Sequence, residues 1–438
     1  MNKRISKIVS LAIALLMLMV MAAPALAADY VMKNPLTQAD AEFDKYLVMD
    51  QKAVVPNTTF TFTVEPGAES GDGATAEDTT FPVFKGIMKG LVITSTSDST
   101  GKTIATEVAS ETITIAFGAN NGTGAVSATN NSKQTGDGVN LEANEKYAKG
   151  VIKLDFSGVT FKEPGVYRYK ITEAANSDGG IKNDSNTVRY LDVYVMDVTT
   201  NGGALTLDVT GYTLTTEANA LVRGSENGTA GDVGDTPRYN NKSEGFENDY
   251  SSYDLQVNKT VTGNQGNKNK DFTFTVKITD ATPGTYKVTY LPTGTASGGT
   301  TGKPDEIVVG TDKTNGATGT DIKLKHGESF IIENLSSGAK YTVSENAEDY
   351  LPSYTATEKG TGAVTDGVPS DKTTTAQPGP EADTYDNTDG IQGDTTVTFT
   401  NERNGTIPTG VLLTIAPFVA LMVVGVFGAV IVLKKKKN

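Results

Sequence analysis

Six polar residues of this 438-residue chain are of types that can react with one another, and they recur in one order in both halves. Each half has an early Lys, a later Glu and a final Asn: Lys45, Glu173 and Asn248, then Lys259, Glu345 and Asn401. A neutral Lys amine is a nucleophile, and a carboxyl group can carry protons between reacting groups. Attack of the amine on the Asn carboxamide would release ammonia, so the order predicts one Lys–Asn isopeptide bond in each half.

Strand alternation predicts that these side chains point inward. Residues two apart share one face of a strand, and Lys45 shares its face with Phe43 and Leu47. The other five residues likewise follow or separate apolar residues on their own face. A lone buried ammonium, carboxylate or amide is costly, so we expect each half to bring its three groups together. Burial would lower the pKa of the Lys and raise that of the Glu, and folding would hold the reactants close.

For any single Lys or Glu at a strand edge, ordinary solvent exposure is the alternative, because long charged side chains reach for water. The repetition of the ordered triplet at core-facing positions favours the chemistry.

The elements that must position these residues are strands. Alternating segments such as Phe60-x-Phe62-x-Val64 run from Phe43 to Asn401, with turn clusters between them. Stretches at 118–139, 178–186, 224–243, 293–303 and 359–393 are typical of loops, and 142–149 could form a short helix. We predict an all-β fold of two tandem β-sandwich domains, residues 28–250 and 251–405. A linker of a few residues favours a stiff, end-to-end arrangement.

Composition excludes most enzyme classes. The chain has no Cys, no Trp, a single His (His326) and a formal net charge of −14. Without Cys there is no disulfide, thiolate metal site or thiol nucleophile, and we predict no metal and no cofactor. The acidic balance argues against nucleic-acid binding. An extracellular carboxylate hydrolase is a weaker alternative, because no local motif singles out one pair of acids.

Both ends of the chain are predicted to be processing signals. Residues 1–27 have a basic start, an apolar stretch and the small-residue sequence Ala25-Leu26-Ala27, which is typical of a secretory signal peptide. A membrane-anchoring helix is the alternative for this segment. Residues 411–433 form an uncharged apolar run followed by four Lys, which predicts a membrane span with a cytoplasmic basic end. The body between the ends would lie outside the cell.

These features resemble the isopeptide-linked major pilins of Gram-positive bacteria, of the two-domain streptococcal type. Their modules are immunoglobulin-like β-sandwiches of the collagen-adhesin-B kind. The resemblance covers essentially the whole mature chain and is closer in the second half, through Leu255-x-Val257-x-Lys259-x-Val261, Leu324-Lys325-His326-Gly327, Tyr341-x-Val343-x-Glu345 and Phe399-Thr400-Asn401.

The resemblance implies a bond from Lys45 to Asn248 with Glu173 as its catalyst, and a bond from Lys259 to Asn401 with Glu345. The interval between Lys and Glu is longer in the first half, which leaves Lys52 as an alternative to Lys45. His326 falls in a turn of the pattern, and we assign it no chemistry.

The C-terminal segment 406–438 resembles a sortase sorting signal. Its motif is Ile407-Pro408-Thr409-Gly410, placed just before the apolar run. The resemblance implies that a sortase cuts after Thr409 and transfers its carboxyl group to an amine. In a pilus that amine belongs to the next subunit, and our candidate is Lys242, six positions before Asn248, with Lys182 second.

The implied function is structural: a shaft subunit of a covalently polymerised pilus on the cell surface. The implied partners are a sortase, neighbouring pilin subunits, peptidoglycan of the cell wall, and a host surface as a further candidate. Apart from its own crosslinking the chain would not be an enzyme. The alternative is a monomeric, wall-anchored adhesin, and the missing Cys argues against an adhesin of the thioester type.

Overall fold

The computed structural model describes residues 40–67, 83–134, 137–199, 204–218, 242–292, 304–310, 317–362, 364–365 and 368–405. These residues form strands, turns and loops, with no α-helix among them. No helix within these ranges is long and apolar enough to cross a membrane. The predicted signal peptide and the sorting segment 406–438 lie outside the described residues.

Twelve strands are described in the first half of the chain. They are β1 (Asp40–Asp50), β2 (Thr58–Pro66), β3 (Val83–Lys85), β4 (Val92–Ser95), β5 (Asp98–Thr103), β6 (Glu111–Phe117), β7 (Glu145–Asp155), β8 (Gly165–Glu173), β9 (Ile181–Lys182), β10 (Val188–Asp197), β11 (Leu207–Thr215) and β12 (Gly245–Tyr250).

These strands form the two layers of one sandwich. The first sheet has the order β5-β4-β7-β1-β12-β9, and the second has the order β11-β10-β8-β2-β6, with β3 paired to β8. The first strand, β1, runs parallel to the last long strand, β12, and antiparallel to β7. Apolar side chains of both sheets, including Phe43, Phe62 and Phe246, fill the core between the layers.

Thirteen strands are described in the second half. They are β13 (Ser252–Thr262), β14 (Phe272–Thr279), β15 (Gly284–Leu291), β16 (Glu306–Val309), β17 (Ala317–Leu324), β18 (Ser329–Ser336), β19 (Lys340–Glu345), β20 (Leu351–Glu358), β21 (Val364–Thr365), β22 (Val368–Pro369), β23 (Lys372–Ala376), β24 (Thr384–Asn387) and β25 (Thr395–Glu402).

The second half repeats the arrangement of the first. Its sheets have the orders β16-β15-β18-β13-β25-β20-β23 and β17-β14-β19-β24, with β21 and β22 forming a separate hairpin. Its first strand, β13, again runs parallel to its last strand, β25. A second apolar core, which includes Phe274, Phe330 and Phe399, fills this sandwich. The predicted all-β fold of two tandem sandwiches is therefore observed.

Three local predictions were wrong. The segment 178–186, predicted as loop, contains the two-residue strand β9, which pairs with the end of β12. The suggested helix at 142–149 is instead a turn and the start of β7, because β7 pairs with β1 along its whole length and tertiary pairing overrides the helix preference of Glu, Lys and Ala. The segment 359–393, predicted as loop, contains four short strands, of which β23 extends one sheet and β24 the other. Its Thr-rich sequence hid the strand signal, since most of the residues whose burial is described in this segment are exposed.

A single residue, Ser251, separates β12 from β13. Its N–H donates to Gly180 O at 2.9 Å, and its carbonyl accepts from Ser337 N, also at 2.9 Å. Thr282 Oγ1 adds a bond to Gly179 O at 2.9 Å. The junction between the two sandwiches is thus tied by hydrogen bonds from both sides, which restricts bending about Ser251.

Candidate crosslinking sites

The first site lies where β1 and β12 run side by side. Lys45 is opposite Phe246 in the parallel pair, so Asn248 lies two residues further along β12 on the same face. A long side chain can span such a diagonal. Lys45 is 0% exposed and Asn248 1% exposed, so both functional groups are enclosed in the core.

Glu173 reaches this pair from the other sheet. It is the last residue of β8 and is opposite Phe62 of β2. The Nζ of Lys45 lies 2.7 Å from Glu173 Oε1, and the two side chains are 0% and 1% exposed. The ion pair therefore crosses the core of the sandwich from one layer to the other.

The second site has the same register. Lys259 is opposite Phe399 in β25, and Asn401 lies two residues further along. Glu345, the last residue of β19 in the facing sheet, places Oε1 2.6 Å from Lys259 Nζ. The same oxygen accepts a hydrogen bond from Asn401 Nδ2 at 3.0 Å. All three groups of the second triplet are therefore brought together.

An aromatic ring lies next to each amine. Lys45 Nζ is 4.3 Å from the centre of the Phe60 ring, and Lys259 Nζ is 4.3 Å from that of Phe272. Phe60 and Phe272 occupy equivalent positions in the two sandwiches. Phe60 lies two residues before Phe62, which pairs with Glu173, and Phe272 lies two residues before Phe274, which pairs with Glu345. Each ring excludes water from one side of the amine, which disfavours its charged form, while the ring face attracts the ammonium and offsets part of that effect.

Burial moves the pKa values of both pairs toward proton transfer. Desolvation lowers the pKa of Lys45 to about 8 against the opposing attraction of Glu173, and it lowers the pKa of Lys259 to about 8 in the same way. Desolvation also raises the pKa of Glu173 and of Glu345. The opposite shifts bring the pKa values of each Lys and Glu closer together, which lowers the cost of passing a proton from the amine to the carboxylate.

Each site leaves polar atoms unsatisfied. Within the described residues, Asn248 Nδ2, Asn401 Oδ1 and Glu345 Oε2 are buried without a hydrogen-bond partner. A buried ion pair or polar network whose hydrogen bonds are not all made destabilises the folded state. Replacement of each Lys–Asn pair by one neutral amide would remove this penalty.

The other lysines considered from the sequence lie elsewhere. Lys52 is exposed in the turn after β1, away from the buried site that holds Lys45. Lys242 is half-buried and forms an isolated bridge with Thr215. Lys182 has an 81% exposed side chain and an ion pair of 2.8 Å to Asp249. The motif Ile407–Gly410 lies outside the described residues.

Sequence reasoning missed three kinds of residue around these sites. The rings of Phe60 and Phe272 were visible only as strand alternation, although their recurrence before Phe62 and Phe274 was a usable signal. His326, to which no chemistry was assigned, accepts the N–H of Val261 at Nδ1 and so supports β13. Asp184 contacts the first site from the loop before β10, and Arg189 contacts it from the start of β10. The sequence of the second half has no repeat of these two residues that would have indicated them.

Comparison with known proteins gives matches over both sandwiches. Residues 41–251 match the family model FctA, described as a Spy0128-like isopeptide containing domain, and residues 253–403 match a model described as a domain of unknown function. A pilin of Streptococcus pyogenes serotype M1 is 28% identical over 392 residues, which cover 89% of this chain and 88% of that protein.

Two solved structures are also similar. The crystal structure of the major pilin from Streptococcus pyogenes is 22% identical and matches with a TM-score of 0.45, covering 84% of this chain and 100% of that one. The major pilin protein T3.2 from the same species is 20% identical, with a TM-score of 0.42 and the same coverage.

Proposed function

We propose that this chain, whose residues 41–251 match the FctA family of isopeptide containing domains and which is 28% identical to a streptococcal pilin, is the shaft subunit of a covalently polymerised surface pilus. Two self-made Lys–Asn bonds would stabilise each subunit, and a sortase would join subunits through Thr409. The observation that carries the proposal is the pair of buried Lys–Glu contacts, each with an Asn in the same register. Chance burial of one such triplet is conceivable, but its repetition across two sandwiches favours a common chemistry.

The reaction is balanced without a cofactor. A proton moves from the Lys ammonium to the Glu carboxylate, and the neutral Nζ adds to the Asn Cγ. The carboxyl group then relays a proton from Nζ to Nδ2, the Cγ–Nδ2 bond breaks, and ammonia leaves. The products are one neutral amide, one ammonia and a protonated Glu, so no charge remains in the core. The folded domain supplies the high effective concentration that an unactivated amide requires.

Whole-protein mass spectrometry tests the bonds directly. Each bond removes one ammonia, a loss of about 17 Da, and we expect two losses from the purified protein. Sequencing of the crosslinked tryptic peptides should join Lys45 to Asn248 and Lys259 to Asn401. A mass equal to that of the unreacted chain would refute the proposal.

Lys242 is the proposed acceptor amine for polymerisation. Desolvation lowers its pKa, which increases the fraction of neutral, nucleophilic amine. The ion pair with Asp249 raises the pKa of Lys182 instead. Lys242 also lies just before β12, so a subunit attached there would be fixed close to the first crosslink.

A ladder of high-mass species on denaturing gels distinguishes a shaft subunit from a monomeric adhesin. We expect cells that express the full chain with its sortase to give a ladder, and Lys242→Ala to abolish it. Lys182→Ala is the matched control and should leave the ladder intact. A single wall-anchored band from the unmodified chain would instead identify the monomeric adhesin.

A further inference from the structure

The two sites hold their Asn amides in opposite ways. Asn248 Oδ1 accepts a hydrogen bond from the main-chain N–H of Asp184 at 3.1 Å. In the second site Asn401 Nδ2 donates to Glu345, and within the described residues its Oδ1 has no donor. Only the first amide oxygen therefore faces a fixed hydrogen-bond donor.

Oδ1 is the atom on which negative charge develops when an amine adds to the amide carbon. A preorganised N–H aimed at such an oxygen stabilises the transition state, and removal of one such donor from an enzyme slows the reaction by roughly 10²–10³-fold. The Asp184 donor is a main-chain N–H, so it retains its proton throughout the reaction. It also leaves Glu173 free to act on the two nitrogen atoms.

The side chain of Asp184 fixes its own main chain over the site. Its Oδ2 accepts the N–H of Glu247 at 3.1 Å, and its Oδ1 accepts the N–H of Asn186 at 2.8 Å. Glu247 directly precedes Asn248 in β12. Asp184 is therefore tied to two consecutive residues of the strand that carries the reacting amide.

Arg189 forms an ion pair that holds the side chain of Asp184 in place. Its Nη2 lies 2.8 Å from Asp184 Oδ2, with the two side chains 7% and 9% exposed. Its Nε donates to Gly245 O at 2.9 Å, and its guanidinium carbon is 4.6 Å from the Phe246 ring. In both domains this ring packs against an equivalent Phe, Phe62 for Phe246 and Phe274 for Phe399, but Phe399 also packs against Tyr354.

We infer that the Asp184 N–H is an oxyanion donor for the first crosslink, positioned by the Asp184–Arg189 ion pair, and that the second crosslink forms without an equivalent. This inference rests on the proposed Lys–Asn bonds. When Lys45 Nζ adds to Asn248 Cγ, the carbonyl π electrons move onto Oδ1 and the Asp184 N–H stabilises them. They return when ammonia leaves with Nδ2, so the donor neither gains nor loses an atom.

The inference predicts unequal dependence on the two Glu residues. The first bond keeps its oxyanion donor when Glu173 is changed. In the second site, within the described residues, Glu345 is the one side chain hydrogen-bonded to the Asn401 amide, and changing it leaves no donor on Asn401 Oδ1. With chain recovered unfolded from inclusion bodies and then refolded, Glu173→Gln should still form its bond slowly. We expect that rate to exceed the rate of the second bond in Glu345→Gln by on the order of 10- to 100-fold. Each rate is measured with the other bond removed. The first bond is followed in an Asn401→Ala background, and the second bond is followed in an Asn248→Ala background.

Arg189→Met tests the positioning role. Folding is followed by tyrosine fluorescence and bond formation by mass in the same refolding reaction. We expect unchanged folding but a first bond slowed on the order of 10-fold or more, partial recovery in Arg189→Lys, and an unchanged second bond as the internal control. If Arg189→Met fails to fold, the comparison of Glu173→Gln with Glu345→Gln still decides.

The outcomes separate this inference from the proposed function. Two mass losses in the unmodified protein, with equal residual rates in Glu173→Gln and Glu345→Gln, would overturn the inference alone. A normal first-bond rate in folded Arg189→Met would overturn the positioning role. No mass loss in the unmodified protein would overturn the proposed function itself.

Discussion

Lys45 and Glu173 are in contact at 2.7 Å although their side chains come from opposite sheets of the first sandwich. Neither strand alone has the reaction geometry, since β1 carries the amine and β8 the carboxylate. The contact exists only after the two layers have packed and expelled water. The proposed bond formation is therefore coupled to correct folding, because an unfolded or misregistered chain lacks the proton acceptor and the desolvated amine.

Glu345→Gln should slow the second bond so strongly that it is absent from freshly purified protein. Gln cannot accept the Lys259 proton, so only the small fraction of amine that loses its proton by another route can react. We expect one ammonia loss in place of two by whole-protein mass. By analogy with disulfide loop closure, a crosslink of this span contributes roughly 5 kcal/mol to stability, which lowers the Tm of this domain by about 10–20 °C when lost.

Glu348→Gln is the control for that change. Glu348 is a half-exposed residue of the same loop region, with an ion pair of 2.7 Å to Lys270, and exposed pairs contribute little. Its mass and Tm should match those of the unmodified protein. Two ammonia losses in Glu345→Gln would contradict the assigned role of Glu345.

Lys45→Arg should prevent the first bond, whereas Lys52→Arg should leave it intact. A guanidinium keeps its proton at all accessible pH values and cannot serve as the nucleophile. Lys52 is exposed and lies in the turn after the strand that carries Lys45. Peptide mapping after trypsin digestion reads the result, and loss of the bond in Lys52→Arg alone would assign the nucleophile to Lys52.

Bond formation should depend on pH with an optimum. The reactive state of each Lys–Glu pair holds one proton, placed on the carboxyl group while the amine is neutral. At a pH below the raised Glu pKa the pair binds a second proton, so that the carboxyl group is protonated and the Lys amine is charged and unreactive. Above the Lys pKa of about 8 the pair loses its last proton, and the carboxyl group can no longer act as an acid.

The measurement is the rate of ammonia loss during refolding between pH 5 and pH 10, in about one-unit steps. We expect the rate to fall on the alkaline side of about pH 8 for both bonds. A rate that rises steadily up to pH 10 would show that the Glu supplies no proton to the reaction. Final yields serve as the control, since they should converge at long times.

The buried residues of the proposed reaction could be predicted because each one is a polar residue at a strand position that faces the core. Lys45 and Glu173 are charged residues at core-facing strand positions, and the same pattern recurs in order in the second half. Which face of a strand a side chain occupies follows from its spacing to neighbouring residues, and that spacing can be read directly from the sequence. The short separation between β12 and β13 was likewise visible, since apolar alternation resumes almost at once after Tyr250.

The parts that could not be predicted depend on contacts between distant elements. Nothing local indicates that Asp184 will place its N–H on Asn248, because that contact depends on how a loop between β9 and β10 packs against β12. The strand β7 was missed at its start for a related reason, since its pairing with β1 outweighs local preference. Nor does the sequence specify whether the oxygen or the nitrogen of the Asn248 and Asn401 amides is the atom that is hydrogen-bonded.

The two proposed bonds should respond differently to force applied along the chain. β13 and β25 run parallel, and residues beyond β25 are tied to the turn after β13, with Gly405 N donating to Asn264 Oδ1 at 2.8 Å. A load that enters at Lys242 and leaves beyond Gly405 crosses Asn248, the junction at Ser251 and the proposed Lys259–Asn401 bond. The chain between Lys259 and Asn401 is then bypassed, whereas the proposed Lys45–Asn248 bond lies off this path.

Single-molecule stretching between positions 242 and 405 measures how far the chain extends when either bond is absent. The unmodified protein should not extend, and Asn401→Ala should release roughly 450–500 Å of chain at about 3.4 Å per residue. Asn248→Ala should show no added extension, because only β12 of the first sandwich carries load. Its effect should appear instead as faster trypsin cleavage and a lower Tm of the first domain, since an open loop replaces a closed one. Extension of Asn248→Ala by a whole domain, or unchanged trypsin resistance, would refute this division of roles between the two bonds.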